Sequence, residues 1–369
     1  MGTVRIGVVG LGLMGAGHAA NIASGKIKGL ELAAVVSSDP AKRSRFASAR
    51  GFSTTGEMIA SGLVDAVLIA TPHYSHTTIG IQALNAGMHV LVEKPISVHK
   101  ADAEKLLAAH TNEKTVFAAI LNQRTDPYFQ KIRHLVQSGE LGAVRRVQWT
   151  ITDWFRTHAY YSSSAWRATW AGEGGGVLLN QCLHNLDLFQ WIFGMPERVT
   201  GFCNFGRYHP IEVEDDVTAH FEYSDGQHAT LITSTGEAPG TNRLEIATER
   251  GRIVYENDKL TLTRNEVPMS EFCRTAKEGF AKPVTSELVI PLAGHGGQHV
   301  EILQNFADAI LEGKPLIAPA AEGIRSVELA NAIVLSAWTK KSVDLPLNAK
   351  IYECALTQKI ADAQLATKQ

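Results

Sequence analysis

A chain of 369 residues is long enough for two domains with sizeable cores. Its 35 basic and 37 acidic residues leave a net charge of -2, which argues against nucleic acid or an anionic membrane as partner and favours a small molecule. Cys182, Cys203, Cys273 and Cys354 include no C-x-x-C pair and no apolar run approaches the roughly 18 residues needed to cross a bilayer, so reduced thiols and a soluble, cytoplasmic protein are expected.

The apolar stretch Val4 to Val9 predicts a first strand, and it feeds Gly10-Leu11-Gly12-Leu13-Met14-Gly15 and a helix from Met14 to Ser24. Gly10 suits a tight turn, Gly12 leaves room for phosphates, and Gly15 lets the helix pack on the sheet with its free N–H groups toward a ligand. This is the dinucleotide pattern; the other reading is a glycine-rich turn serving only a tight connection. Strands at Glu31 to Ser37, Ala66 to Ala70, His89 to Val92 and Val116 to Ile120 alternate with helices such as Thr77 to Ala86 and Ala101 to His110, the signature of a parallel α/β sheet. Glu93-Lys94-Pro95 stands at the carboxyl end of the strand His89 to Val92, where such sheets open their ligand crevice. Lys94 there can donate to a substrate hydroxyl and stabilise an alkoxide, although a surface lysine before a proline turn fits the same residues.

The style changes near Gln123, which divides the chain into an expected dinucleotide domain, 1–123, and a substrate and oligomerisation domain, 124–369. A helix is predicted at Asp126 to Ser138, a long strand at Val144 to Asp153, and an antiparallel meander from Arg198 to Thr263 with turns at Ser224-Asp225-Gly226 and Glu249-Arg250-Gly251. Late helices near His299 to Glu312 and Glu322 to Thr339 would cross back over one face. Trp149, Trp154, Phe155, Tyr160, Tyr161, Trp166 and Trp170 crowd one stretch with Arg156, His158 and Arg167 among them, which suits either sugar stacking or an oligomer interface.

Gly174-Gly175-Gly176 precedes an apolar segment running to Gly194, read as one helix. On it Asn180, His184 and Asp187 fall at i, i+4 and i+7, a single stripe facing either a polar cavity or satisfied partners in the core. A histidine there suits proton transfer. His209, Glu212, Glu214, Asp215 and Asp216 cluster without metal-ligand spacing, so no metal is expected and the cluster reads as a solvated acidic turn.

Together the glycine turn, Glu93-Lys94-Pro95 and the glycine run leading to His184 and Asp187 resemble the Gfo/Idh/MocA oxidoreductases, the group of glucose-fructose oxidoreductase and inositol dehydrogenase. Trp166-Arg167 and Asn180-Gln181-Cys182 further resemble a bacterial subgroup with sugar and glycoside dehydrogenases. The resemblance implies a Rossmann domain, then an α/β domain with a large, mostly antiparallel open sheet that builds homodimers or homotetramers. It implies Lys94 beside the nicotinamide and His184 as the acid/base, with Asn180, Tyr160, Trp166, Arg167 and Asp187 toward a carbohydrate. The implied dinucleotide contacts are Gly10, Gly12, Leu13, Met14 and Gly15; Ser37, Ser38 and Lys42; Ala70, Thr71, Pro72, His73 and His76; and Glu93, Lys94 and Asn122. Many members carry aspartate where this chain has Asn180, which can orient a hydroxyl but cannot take up a proton.

The second strand ends in Ser37-Ser38-Asp39 rather than in a ribose-binding acid, and Glu31 lies at the wrong end. Ser37, Ser38, Lys42 and Arg43 could hold a ribose phosphate that Asp39 would oppose, so NAD is favoured over NADP. The expected activity is hydride transfer between nicotinamide and a ring CH–OH of a sugar, glycoside or cyclitol. The rivals are a redox-neutral lyase or glycosidase that oxidises its sugar transiently with bound NAD, and a non-catalytic dinucleotide or sugar sensor.

Overall fold

The strands of residues 2–366, the part of the chain described by this computed structural model, fall into two sheets. The first contains β1 (Val4–Val9), β2 (Leu30–Val36), β3 (Arg50–Phe52), β4 (Ala66–Ile69), β5 (His89–Val92) and β6 (Phe117–Ala119), all parallel in the order β3-β2-β1-β4-β5-β6. The order reverses between β1 and β4, so the ligand crevice opens beyond the carboxyl ends of those strands. β4 is buried at every position, as a strand covered by helices on both faces should be. β3 has no apolar run to announce it; it is Arg-Gly-Phe at an edge, with Arg50 and Gly51 exposed.

The core of this sheet is completed from far along the chain. Ile302, Leu303 and Phe306 of the helix Gln298–Glu312 pack into it. The helix Ala320–Thr339 joins the two cores, with Val327 packed in the first and Leu329 and Ile333 in the second.

The second sheet has nine strands: β7 (Val144–Ile151), β8 (Arg198–Phe205), β9 (Glu214–Glu222), β10 (His228–Ser234), β11 (Asn242–Thr248), β12 (Gly251–Glu256), β13 (Lys259–Asn265), β14 (Thr285–Ile290) and β15 (Val343–Asp344). Both predicted turns connect neighbours, β9 to β10 and β11 to β12. The expected continuous meander is nonetheless interrupted. β7 lies between β10 and β11, pairing parallel with the first and antiparallel with the second, so the sheet is mixed. Its alternating burial, with Val147, Trp149 and Ile151 inward, makes it a central strand.

Two further expectations are corrected. The apolar segment after the glycine run becomes helix only at Leu183–Phe193, ended by Gly194 with φ 80. Upstream the backbone donors are taken elsewhere: Gly176 and Leu178 N–H donate to the Glu214 carboxylate at 2.8 and 3.1 Å, and Val177 N–H to the Glu214 carbonyl at 3.0 Å. The acidic cluster is not a solvated turn either. Glu214 and Asp215 are fully buried and His209 nearly so; Asp215 accepts from the N–H groups of Arg207, Tyr208 and His209. Burial raises the Glu214 carboxyl to about 7, against the backbone donors that lower it. Among the described residues no helix is long and apolar enough to cross a membrane.

Candidate functional site

The three glycines of the first turn are needed for different reasons. Gly10 has φ 92, and a Cβ there would lie 2.6 Å from the Ala70 carbonyl oxygen. A Cβ on Gly15 would fall 1.8 Å from the Gly10 carbonyl oxygen, so the helix Leu13–Ala23 could not leave the turn. Gly12 has an ordinary φ of -72, and among the described residues nothing beyond its own neighbours in the chain lies within 4 Å of where its Cβ would be. Neither backbone nor packing requires glycine at 12; what requires it is room for a ligand against the first-turn N–H groups. Just beyond β4 and β6, at the same crevice, Thr71 Oγ1 and Asn122 Oδ1 are buried without hydrogen-bond partners among the described residues. These residues fit a dinucleotide.

Glu93 and Lys94 leave β5 at that crevice. Glu93 Oε1 lies 2.6 Å from His18 Nε2, and Oε2 accepts from the Lys94 N–H at 3.0 Å. Burial works to raise the Glu93 carboxyl, yet the bond and charge of His18, helped by Lys94, hold it at about 2. The Glu93 carboxylate therefore ties β5 to the helix Leu13–Ala23, which leaves its backbone for the expected cofactor contact. His299, whose ring centre lies 5.4 Å from that of His18, belongs to the same cluster.

The Lys94 Nζ donates to the Asn180 carbonyl at 2.8 Å. Burial lowers its pKa against the pull of Glu93 and Glu173, and Arg156 and Arg167 add to the lowering. His184 stands in the first turn of the helix Leu183–Phe193 with Nδ1 buried and, among the described residues, unpartnered. Burial first, then the charge of Lys94, bring its imidazole down to about 3. At neutral pH the site thus sets a free-base imidazole near an ammonium group.

Asn180 is on the turn before that helix rather than on its stripe, and its Nδ2 donates to Glu173 and, at 3.3 Å, to the Tyr160 hydroxyl. The same hydroxyl receives Arg167 Nη1 at 2.6 Å and Gln181 Nε2 at 3.0 Å. Asp187 is not a substrate group: it is 2% exposed, forked to Arg124 at 2.7 and 2.8 Å, and bonded by Gln190. Of the aromatic cluster, Trp149, Tyr161 and Trp170 are core residues, whereas Trp154, Tyr160 and Trp166 are half-buried beside the arginines.

The remaining cofactor expectations divide. His76 is buried with its two ring nitrogens 2.7 Å from the Pro95 and 2.8 Å from the Thr71 carbonyl oxygens, so it braces the loop and has no ring nitrogen left for a ligand. His73 is likewise buried, its Nδ1 3.1 Å from the Glu173 carbonyl, and desolvation lowers it to about 3. Leu13, Met14, Ala70, Thr71 and Pro72 surround the crevice with some exposure. At the end of β2, Ser37 Oγ accepts from Asp39 N–H, the Arg43 guanidinium is held on the Ser37 carbonyl, and Ser38 and Lys42 are exposed. Local sequence patterns missed Glu173, His18 and His299. Glu173 adjoins the glycine run, but the partners of His18 lie 75 residues or more away.

A parallel sheet with open space at Gly12 and, beyond the end of β5, a lysine near a buried histidine is the arrangement of a dinucleotide-dependent oxidoreductase. The family described as "Oxidoreductase family, NAD-binding Rossmann fold" matches residues 4–120, and "GFO/IDH/MocA C-terminal domain" matches residues 129–254. The chain belongs to the Gfo/Idh/MocA oxidoreductases. It is 24% identical over 356 residues to inositol 2-dehydrogenase of Rhizobium meliloti, covering 93% of this chain and 99% of that one. It is 25% identical to levoglucosan dehydrogenase of Pseudarthrobacter phenanthrenivorans over 77% of this chain and 80% of the relative. In fold it resembles the WlbA dehydrogenase of Bordetella pertussis in complex with NADH and UDP-GlcNAcA, with a TM-score of 0.78, 24% identity, and coverage of 94% of this chain and 100% of the other.

Proposed function

We propose that this chain is an NAD-dependent dehydrogenase that oxidises a ring hydroxyl of a sugar or cyclitol, with Lys94 and His184 at the reacting hydroxyl. The observation that carries this reading is the convergence of two chain segments 90 residues apart on one crevice: Lys94 from the end of β5, its Nζ on the carbonyl of Asn180, and His184 four residues beyond. Bound NAD would supply the hydride acceptor, with its pyrophosphate over Gly12 and the N–H groups of Leu13 and Met14, and its other contacts drawn from Thr71 and Asn122. Lys94 donates to the substrate oxygen and stabilises negative charge as it develops there. His184, neutral because burial keeps it so, accepts the hydroxyl proton. Asn180, turned by Glu173, orients the substrate and takes no proton.

Relatives named for inositol and levoglucosan support the carbohydrate class, and NADH in solved structures of this fold supports NAD. The test is a matrix of sugars, sugar acids, glycosides and cyclitols with NAD and NADP, followed at the nicotinamide absorbance. Reduction of NAD by at least one carbohydrate, lost in Lys94→Ala, is expected. Turnover of a glycoside without net nicotinamide reduction would replace this reading with the redox-neutral one.

A further inference from the structure

Trp154, Arg156, Tyr160, Arg167 and Trp166 stack into one ladder beside Lys94. The Arg156 guanidinium carbon lies 5.7 Å from the Trp154 ring centre and 5.1 Å from that of Tyr160. That of Arg167 lies 4.3 Å from Tyr160 and 4.9 Å from Trp166. Trp166 meets His73 edge-on at 5.9 Å, which ties the ladder to the first sheet. Stacking holds a guanidinium plane in place while leaving its N–H groups free to donate in plane.

Those donors are underused. Arg156 gives Nη1 to the carbonyls of Phe155 at 2.8 Å and Trp154 at 3.4 Å, and among the described residues it forms no ion pair. Asp153 acts on it only through its field. Arg167 gives Nη1 to Tyr160; among the described residues its Nε is buried without a partner and its one paired acid is Glu173 at 3.8 Å, beyond hydrogen-bond reach. Both Glu173 oxygens are already engaged, Oε2 by the Ala168 N–H at 2.6 Å and Oε1 by the Asn180 amide. Glu93, the other acid near Lys94, is bound to His18. Lys94 thus has the charges of Glu93 and Glu173, whereas Arg156 has only the field of Asp153 and Arg167 only that of Glu173, and among the described residues neither guanidinium has a carboxylate within hydrogen-bond reach. Partly buried cations left unmatched are unfavourable unless a ligand completes them. Arg167, Asn180 and Gln181 all donate to the Tyr160 oxygen, which pins that ring between the two guanidinium groups.

We propose that Arg156 and Arg167 form an anion-reading subsite, so that the carbohydrate this enzyme takes carries an oxyanion, a carboxylate or a phosphoryl group, in addition to the hydroxyl that reacts. The planar forks suit either group, since each presents paired oxygens to paired N–H donors. The proposal rests on the dehydrogenase reading for the reacting hydroxyl, but the binding it requires can be measured without turnover.

The experiment titrates d-glucuronate, d-glucose 6-phosphate and methyl d-glucoside into the protein–NADH complex by calorimetry. At least one anion is expected to bind about tenfold or more tightly than the glucoside, more tightly still at low salt, and to lose that preference in Arg156→Gln. Arg156→Lys, which keeps the charge without the fork, is expected to retain part of it, and circular dichroism checks that both variants are folded. A preference for glucuronate identifies a carboxylate subsite, and one for glucose 6-phosphate a phosphoryl subsite. Equal affinity for all three, no binding of either anion, or a preference that survives Arg156→Gln overturns the proposal. NAD-dependent oxidation of neutral sugars with no preference for anions removes this inference and leaves the dehydrogenase standing. Anion binding without nicotinamide reduction by any carbohydrate does the reverse.

Discussion

Two glycine runs frame the site, and they work in opposite ways. In Gly10 to Gly15 the middle glycine answers to no packing contact among the described residues, since a Cβ on Gly12 would meet nothing within 4 Å beyond its own chain neighbours. In Gly174 to Gly176 the protein itself demands each one. Gly174 has φ 82 and would press a Cβ to 2.1 Å from Val98 Cγ1, a Cβ on Gly175 would come within 2.8 Å of Leu179 Cδ1, and one on Gly176 would lie 2.0 Å from the Glu214 carbonyl oxygen. The first run makes room for a ligand. The second lets the backbone fold tightly enough to bring Glu173, Asn180 and His184 close to Lys94.

The largest expected effect breaks this contrast directly. Gly176→Ala meets rigid backbone, so it should destabilise the protein by ~3 kcal/mol or more, seen as a large fall in melting temperature or loss of soluble protein. Gly12→Val should melt as wild type does yet bind NADH about a hundredfold more weakly, a difference of about 2.7 kcal/mol. A normally folded Gly176→Ala, or a Gly12→Val of unchanged NADH affinity, would erase the distinction.

What each run delivers is the next target. Lys94→Ala and His184→Ala should each lower kcat by roughly 10²–10⁴-fold, the usual range for a positioned acid or base, with little change in NADH affinity. His184→Gln sharpens the assignment: if the limb of the kcat/KM profile that reports the base persists in that variant, the base is Lys94 or another group.

The difference between the runs also explains what could be read in advance. The dinucleotide turn, the alternation of strands with helices and the place of Lys94 at a strand end depend on neighbours in sequence, and they were legible. The segment before His184 was misread as helix because its donors are taken by Glu214, 36 and 38 residues away, and no local pattern signals that capture. Asp187 reads as a site residue by spacing until Arg124, 63 residues upstream, claims it. β7 reads as a long strand apart from the meander, yet it is inserted between strands made about 80 to 100 residues later. Periodicity reports which face is buried and is silent about the partner.

A smaller effect tests the burial of the histidines around the site. His73 and His184 are each held near 3 in the native state, against 6.5 when exposed. Above 6.5 both states are neutral and the difference contributes nothing. As the pH falls from 6.5 toward 3 the unfolded chain takes up protons that the native one refuses, so stability declines by up to about 1.4 kcal/mol per pH unit for each group. Glu93, held at about 2 against 4.5, adds a further loss between 4.5 and 2. Urea midpoints measured across this range should fall from 6.5 downward and more steeply below 4.5, and His73→Gln should flatten the upper part. A flat upper part in wild type would show that these imidazoles are not held neutral.

The smallest expected effect concerns Asn180, which links the second glycine run to Lys94, one of the two residues proposed to act on the hydroxyl. Its carbonyl holds Lys94 and its amide lies between Glu173 and the Tyr160 hydroxyl. Asn180→Ala keeps the carbonyl, so Lys94 should stay in place; what is lost is the side chain that satisfies Glu173 and that, on the proposed function, orients the substrate. The variant should show KM raised by roughly threefold to tenfold, about one hydrogen bond's worth, with kcat reduced less and the pH profile in its wild-type position. Asn180→Asp should do worse than alanine, since it sets a second carboxylate against Glu173 where an amide donor stood, and two like charges in contact raise the energy of both. If Asn180→Asp instead raises kcat, the amide is not there to serve Glu173, and the second run delivers a site that an aspartate would complete.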